Sequence, residues 1–283
     1  MLNRSTHDKE KDMNQATLGT AVVTGASTGI GALYADRLAR RGYDLVLIAR
    51  NGERLQAQAD RLQATYGRTV RTVAADLTRD ADLRRVEDLL RGDDGITLLV
   101  NNAGVGGTGP LLGSDVDKMQ DMIALNVTAL TRLTYAAAPG FVARGKGAFI
   151  NVASIVAIAP EVLNGVYGGS KAYVLAFSQS LHHELADKGV RVQVVLPGAT
   201  ATDFWQIAGT PVEHLPSEIV MRADDLVDAA LAGFDQGEFA TIPALEDGAK
   251  WDAYEAARRA MQPELSRTKP ASRYGVDAVA HAA

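Results

Sequence analysis

The chain contains no cysteine, which excludes disulfide staples and thiolate chemistry and fits a reducing compartment. Histidine is scarce: His7, His182, His183, His214 and His281 are all there are, and no two stand at ligand spacing on a helix. Any metal site would have to be built from these and carboxylates, so none is expected. Positive charge is also in short supply, with 29 Lys and Arg against 34 Asp and Glu and a net charge of −5. A nucleic-acid binder would need a basic stripe. No apolar run approaches the ~18 residues of a spanning helix, and the opening "MLNRSTHDKEKDMNQATLG" lacks the apolar centre of a signal peptide. Residues 1–18 read as a disordered polar leader, with Met13 a second candidate start. The expectation is a cytoplasmic protein with neither nucleic acid nor membrane as a partner.

What the sequence has is an ordinary globular composition, 47% apolar and 22% charged over 283 residues. That is long enough for one large domain or two small ones. From Thr20 onward, short apolar runs alternate with amphipathic stretches. The runs are "TAVVTG" (20–25), "DLVLIA" (44–49), "RTVAAD" (71–76), "ITLLVNN" (96–102), "GAFINVAS" (147–154), "RVQVVLPG" (191–198) and, more weakly, "EFATIPA" (238–244). They are rich in Val, Ile and Leu without polar alternation, as strands buried on both faces of a parallel sheet are.

Between the runs lie helical patterns. Leu55, Ala59, Leu62 and Tyr66 share one face of 53–66; Val174, Phe177, Leu181 and Leu185 share one face of 167–187, with Gly189 as terminator. This alternation predicts an α/β fold, a doubly wound parallel β-sheet flanked by helices in a single domain over 19–245. Two segments interrupt it. Residues 199–222 form a long insertion carrying Phe204, Trp205, Ile207, Leu215, Ile219 and Met221, read as a substrate loop. Residues 246–283 read as a C-terminal helix and a tail rich in Pro, Ser and Arg, either disordered or docked on a partner subunit.

"TGASTGIG" (24–31) follows the first run and opens a helix. Its glycines, Gly25, Gly29 and Gly31, let the backbone turn sharply and approach a pyrophosphate at the helix N-terminus. At the end of the second run an NAD site would want a carboxylate for the ribose hydroxyls. Asp44 stands at the wrong end of that run; Ala49, Arg50 and Asn51 stand at the right one. An arginine there pairs with a 2′-phosphate. The expected cofactor is NADP(H), with NAD(H) use left open because Thr28 in the glycine turn is not basic.

Further along come "NNAG" (101–104), an Asn126 among apolar residues in "LNVTALTRL", Ser154 at the end of the fifth run, and "YGGSK" with Tyr167 and Lys171 four residues apart. On a helix, Tyr167 and Lys171 share a face. An unperturbed tyrosine has a pKa near ~10, and an ammonium one turn away would favour the phenolate and lower it. Gly168 and Gly169 are poor helix formers; their small size would let chain segments approach beside the cofactor.

These pieces, with Asp76 and "PGATAT" (197–202), resemble the short-chain dehydrogenase/reductase family in order and spacing over about residues 18–245. The resemblance implies a Rossmann-type fold and a catalytic set of Asn126, Ser154, Tyr167 and Lys171. Tyr167 would move a proton, Lys171 would assist it and reach the nicotinamide ribose, and Ser154 would orient the substrate oxygen. Asn126 would kink its helix around a water leading from Lys171. Cofactor contacts would fall to Gly25, Ser27, Thr28, Gly29, Ile30 and Gly31, to Arg50 and Asn51, and to Asp76 and Leu77. The remaining contacts would be Asn102, Ala103, Gly104, Tyr167, Lys171, Pro197, Gly198, Thr200 and Thr202. The resemblance also implies a homodimer or homotetramer built through the long helices near 115–140 and 167–187.

The expected activity is hydride exchange between NADP(H) and a small-molecule ketone, aldehyde or secondary alcohol. The substrate would be partly apolar, held by Ser154, Tyr167, Val105, Phe204 and Trp205. Two rivals are a non-catalytic NADP-binding sensor or scaffold, which has no need of the catalytic set, and an epimerase or dehydratase, which needs a larger C-terminal domain.

Overall fold

Val22 and Val23, like Val46 and Leu47, are consecutive, fully buried and packed into different cores. Successive strand residues point to opposite faces, so a strand covered on both sides must be apolar throughout. This is the physical origin of the unbroken apolar runs. The computed structural model describes residues 18–276; all of the expected 1–18 leader but Leu18, and the last residues of the tail, lie outside these.

The strands are β1 (Thr20–Thr24), β2 (Asp44–Ala49), β3 (Val70–Ala74), β4 (Ile96–Asn101), β5 (Gly147–Val152), β6 (Val190–Val195) and β9 (Ala240–Thr241). They form a seven-stranded sheet in the order β3-β2-β1-β4-β5-β6-β9, and every pairing is parallel. The chain winds outward from β1 to β3, then crosses back to β4 and winds the other way. The reversal opens a crevice at the carboxyl ends of β1 and β4, where open α/β sheets bind ligands.

One face is covered by α1 (Gly29–Arg40), α2 (Gly52–Tyr66) and α8 (Ala223–Gln236), through Tyr34, Leu38, Leu55, Leu62, Leu226 and Leu231. The other is covered by α3 (Asp80–Gly92), α5 (Leu130–Ala143) and α6 (Gly165–Leu185), through Leu83, Val86, Leu133, Phe141, Leu181 and Leu185. Each such side chain contributes roughly 1.5–3 kcal/mol on burial.

Two expectations need correction, and the helix expected to kink at Asn126 gains detail. The weak seventh run pairs only over Ala240–Thr241, against Val194–Val195. It lies at the sheet edge, and Pro243 has no N–H to extend the ladder. The helix containing Asn126 is not uniform. Helix α4 (Val116–Ile123) passes through a π-helical turn at Ala124–Ala129 before continuing as α5. The 199–222 segment is not open loop: β7 (Thr200–Ala201) and β8 (Met221–Arg222) pair in parallel and close its base, with α7 (Phe204–Ala208) between them.

The described chain divides into two compact units at Ala244/Leu245. In the second, α9 (Ala249–Ala260) stacks Trp251 on Tyr254 and holds Glu255 against Arg258 at 2.9 Å.

Candidate active site

The turn after β1 is built by glycine where no other residue fits. Gly25 and Gly29 have φ of +68° and +55°, a region L side chains rarely adopt. A Cβ on Gly31 would lie 2.2 Å from the Gly25 carbonyl oxygen, so Gly31 underlies the turn and does not line the cavity. The end of β4 is clasped to it. Asn102 Nδ2 donates to the Thr24 carbonyl at 2.9 Å, and the backbone N–H groups of Asn102 and Ala103 donate to Thr24 Oγ1 at 3.0 Å. Thr24 was not among the expected site residues; its only signal was a hydroxyl ending an apolar run.

Helix α1 starts at this turn with no side-chain cap and no acidic residue in its first turn. Its orphan N–H groups and positive dipole end are therefore left for an anion. At the end of β2, Arg50 and Asn51 line the same cavity, and Asn51 Oδ1 accepts from Arg54 N at 2.9 Å to start α2. Arg54, one turn into α2, lines the cavity too and was missed, because a helix-face arginine looks like any solvated one. Burial would raise the pKa of Asp76, but hydrogen bonds from the Thr78 hydroxyl and amide and the charges of Arg50 and Arg79 outweigh it and hold the carboxyl low.

The cavity occupies about 1290 Å³, more than the roughly 300–1,000 Å³ of a site for one small ligand. The glycine cradle, the uncapped helix end and the two arginines fit a dinucleotide phosphate at one end and leave room for a second molecule at the other. Gly25, Ser27, Thr28, Gly29, Ile30, Asp76, Leu77, Asn102, Ala103, Gly104, Pro197, Gly198, Thr200 and Thr202 all line it.

Ser154, Tyr167 and Lys171 meet on the far wall, each buried. Ser154 follows β5, its hydroxyl donating to Pro197 O at 3.3 Å and accepting from Val156 N. Tyr167 and Lys171 stand one turn apart on α6. Asn164 caps that helix, accepting from Val166 N at 2.9 Å and Tyr167 N at 3.4 Å. Its amide donates to Gly109 O at 2.7 Å and Ser114 Oγ at 3.2 Å, which ties the loop after β4 to the start of α6.

Asn126 does not line the cavity. It stands behind it in the π-turn, donating to Val105 O at 2.8 Å and Ser170 Oγ at 3.0 Å and accepting from Val105 N at 2.9 Å. A buried Asn is thus fully engaged, and it fixes the backbone of one wall residue.

The electrostatics differ from the expectation that Lys171 lowers the Tyr167 pKa. Burial pushes Tyr167 up to about 12, opposed by a hydrogen bond with Ser154. Burial likewise pulls Lys171 down to about 8. The lysine Nζ donates to Val152 O at 2.9 Å and lies 5.9 Å from the tyrosine ring centre. Loss of solvent around both groups outweighs their mutual effect. Of the two glycines between them, Gly168 is the tightly packed one: a Cβ there would lie 3.1 Å from Pro160, which would have to give by a few tenths of an ångström. Nothing lies within 4 Å of a Cβ on Gly169, so that glycine answers to no packing demand.

Val105, Phe204 and Trp205 line the remaining wall. The Phe204 ring lies 5.8 Å from that of Tyr167 and edge-on to Trp205 at 5.7 Å. Trp205 Nε1 is spent on Thr200 O at 3.0 Å. Val162, Leu163, Ile207, Leu215 and Ile219 extend this apolar wall. Among the described residues there is no His, Asp and Glu group suited to a metal, and no helix long and apolar enough to cross a membrane.

The sequence profile of the short chain dehydrogenase family matches residues 19–211. The chain belongs to that family. Among curated relatives, 17-beta-hydroxysteroid dehydrogenase type 3 of Homo sapiens is 36% identical over 215 residues, covering 75% of this chain and 66% of the relative. Very-long-chain 3-oxoacyl-CoA reductase of Rattus norvegicus is 35% identical over 219 residues, 74% of this chain and 70% of the relative. The chain thus spans about two thirds of the length of these relatives. Among solved structures, a short-chain dehydrogenase from Sphingobium yanoikuyae in complex with NADPH superposes with a TM-score of 0.88 at 49% identity, covering 91% of this chain and 100% of that one. A bulky-bulky ketone specific alcohol dehydrogenase from Comamonas testosteroni gives 0.84 at 42% identity, over 92% and 99%. As a short-chain dehydrogenase, the protein keeps the family's parallel sheet with the cavity at its switch point.

Proposed function

We propose that this protein is an NADP(H)-dependent carbonyl reductase acting on bulky, mainly apolar ketones or aldehydes, and on the corresponding secondary alcohols in reverse. The observation that carries the reading is the convergence of Ser154, Tyr167 and Lys171 on one wall of a cavity whose other end is a glycine cradle with Arg50 and Arg54.

Hydride is the one contribution from outside the chain, supplied by a reduced nicotinamide nucleotide when bound. The chain's own residues do the rest. Ser154 Oγ holds the substrate oxygen. Tyr167, with its pKa near 12, keeps its proton at neutral pH and delivers it to that oxygen as charge develops there. Lys171, behind the tyrosine, stabilises the phenolate left behind. Asn126 holds the Val105 wall against which the substrate lies. Arg50 and Arg54 favour the 2′-phosphorylated cofactor, and no carboxylate stands at the end of β2 to favour NAD(H).

The apolar character of Val105, Val162, Phe204, Ile207 and Ile219 supports a bulky substrate, as does likeness to an alcohol dehydrogenase specific for bulky-bulky ketones. A homo-oligomer is part of the reading. Tyr135 on α5 is 70% exposed and stacks on Phe177 of α6, an aromatic face suited to a second copy.

The test is NADPH and NADH oxidation by the purified chain over a panel of ketones and aldehydes, with Tyr167→Phe as control. Turnover with NADPH that the control loses supports the reading. Cofactor binding without turnover of any carbonyl, or an equally active control, replaces it with the sensor reading.

A further inference from the structure

The cavity carries opposite charge at its two ends. Arg50 and Arg54 line the nucleotide end. Three segments contribute to the substrate end and run on from it: 102–115 after β4, through Val105; 155–164 after β5, through Val162 and Leu163; and 199–221 after β6, through Phe204 and Ile219. These segments hold five carboxylates, Asp115, Glu161, Asp203, Glu213 and Glu218, and no lysine or arginine. All five are exposed, and Asp203 and Glu218 reach the cavity itself. None is ion-paired with another described residue. The cations that border the segments are already in acidic company. Lys118 stands between Asp117 and Asp121; Arg222 lines the cavity, but it is held by Asp224 at 2.5 Å and by Asp225, which also lines the cavity, at 3.7 Å. His214 is the one further basic side chain on the three segments.

Two carboxylates at an apolar opening, with three more exposed on the segments that run from it, set a negative potential over the approach path. It repels an anion over about a Debye length, some ~8 Å at physiological salt, and leaves a neutral molecule untouched. The curated relatives include enzymes named for hydroxysteroids and for 3-oxoacyl-CoA, one ligand class uncharged at the steroid nucleus and the other carried on a polyphosphate. Resting on the carbonyl-reductase reading, we infer that this site takes an uncharged bulky ketone and turns away the same ketone carried on a polyphosphate such as a coenzyme A thioester. The acidic border selects by charge, and the apolar wall behind it selects by bulk.

Two thioesters of one medium-chain 3-oxoacyl group separate charge from shape at the reacting carbonyl. One is the coenzyme A ester and the other the uncharged N-acetylcysteamine ester. Each is measured with the full chain and NADPH, as substrate or as competitive inhibitor of the reduction of a bulky ketone. At low salt the uncharged ester should be favoured about tenfold or more in kcat/KM or inhibition constant. The gap should narrow as salt approaches 1 M, where the Debye length falls to about 3 Å. The double variant Glu161→Lys/Glu213→Lys should improve recognition of the coenzyme A ester at low salt and leave the uncharged ester unchanged.

Equal or better recognition of the coenzyme A ester overturns the inference, and so does failure of both esters to bind. A gap that neither salt nor charge reversal moves also overturns it, because discrimination is then steric. In each of these cases reduction of the bulky ketone continues, so the carbonyl-reductase reading stands. Absence of turnover on any ketone defeats that reading, and this inference with it.

Discussion

The Phe204 ring fills the space where a side chain on Gly106 would begin: a Cβ there would lie 2.2 Å from Phe204 Cζ. The glycine after β4 and the aromatic on α7 therefore set one wall of the cavity jointly, across the gap beside Tyr167. Gly106→Ala should push the ring aside and lower kcat/KM for a bulky ketone several-fold, with little effect on a small one. Phe204→Ala should widen the wall. In the double variant the glycine substitution should cost far less, a coupling of about 0.5–3 kcal/mol in a double-mutant cycle. Steady-state kinetics on a large and a small ketone reads both effects; additive losses would show that the two positions act independently.

Asn164 joins the loop after β4 to the helix that bears Tyr167. Asn164→Ala removes the cap and should lower stability by about 1 kcal/mol, with kcat falling as the tyrosine loses its fixed position. Asn164→Asp can still accept from the backbone of α6 but sets a carboxylate against Gly109 O. It should keep most of the stability while raising KM for bulky ketones. Urea unfolding beside kinetics tells the two variants apart.

Lys171 is a buried cation whose pKa is pulled to about 8. It holds its proton below that value and loses it above, so kcat/KM for reduction should decline as pH rises through about 8. Lys171→Arg, which stays charged, should lose that limb of the profile at some cost in rate. A profile flat from about pH 6 to about 10 in the parent would dissociate the lysine charge from the reaction.

The same shift acts on stability. The folded pKa lies below the ordinary lysine value of 10.5, so the unfolded chain binds more protons between the two values and stability rises with pH there. Below about 8 the penalty of the buried charge is present in full. Lys171→Met should therefore abolish turnover yet raise stability at about pH 7, by on the order of 1–3 kcal/mol. That advantage should shrink as pH rises from about 8 towards 10.5. Denaturant midpoints at two pH values measure it.

On the proposed reading, Arg50 and Arg54, which line the nucleotide end of the cavity, hold the 2′-phosphate of NADP(H). Losing a charge-assisted hydrogen bond costs about 1.5–3 kcal/mol, so Arg50→Ser should raise KM for NADPH roughly 10- to 100-fold and spare NADH. Arg54→Ser should add to it. Equal effects on both cofactors would remove the arginine from phosphate recognition.

Much of this was legible in the chain. The unbroken apolar runs implied two-sided burial, and hence a parallel sheet. The glycine turn and the Tyr167–Lys171 spacing are local patterns, and local geometry places each on its element. What escaped the reading is non-local. Thr24 and Asn102 lie 78 residues apart, and Asn164 reaches Gly109 across 55. Arg54 and Thr24 are common surface or strand-end residues until the fold brings them to the cavity. Gly169 misled for the opposite reason: it adjoins a constrained glycine but faces open space.

The sequence by itself determined which elements form and in what order, because periodicity, glycine and helix spacing act over a few residues. Only the tertiary structure decided how Tyr167 and Lys171 titrate, since burial by the whole molecule outweighs the effect of one on the other. It also decided that Gly106 must yield its space to Phe204. Close packing is a relation between residues 98 positions apart, and no local pattern records it.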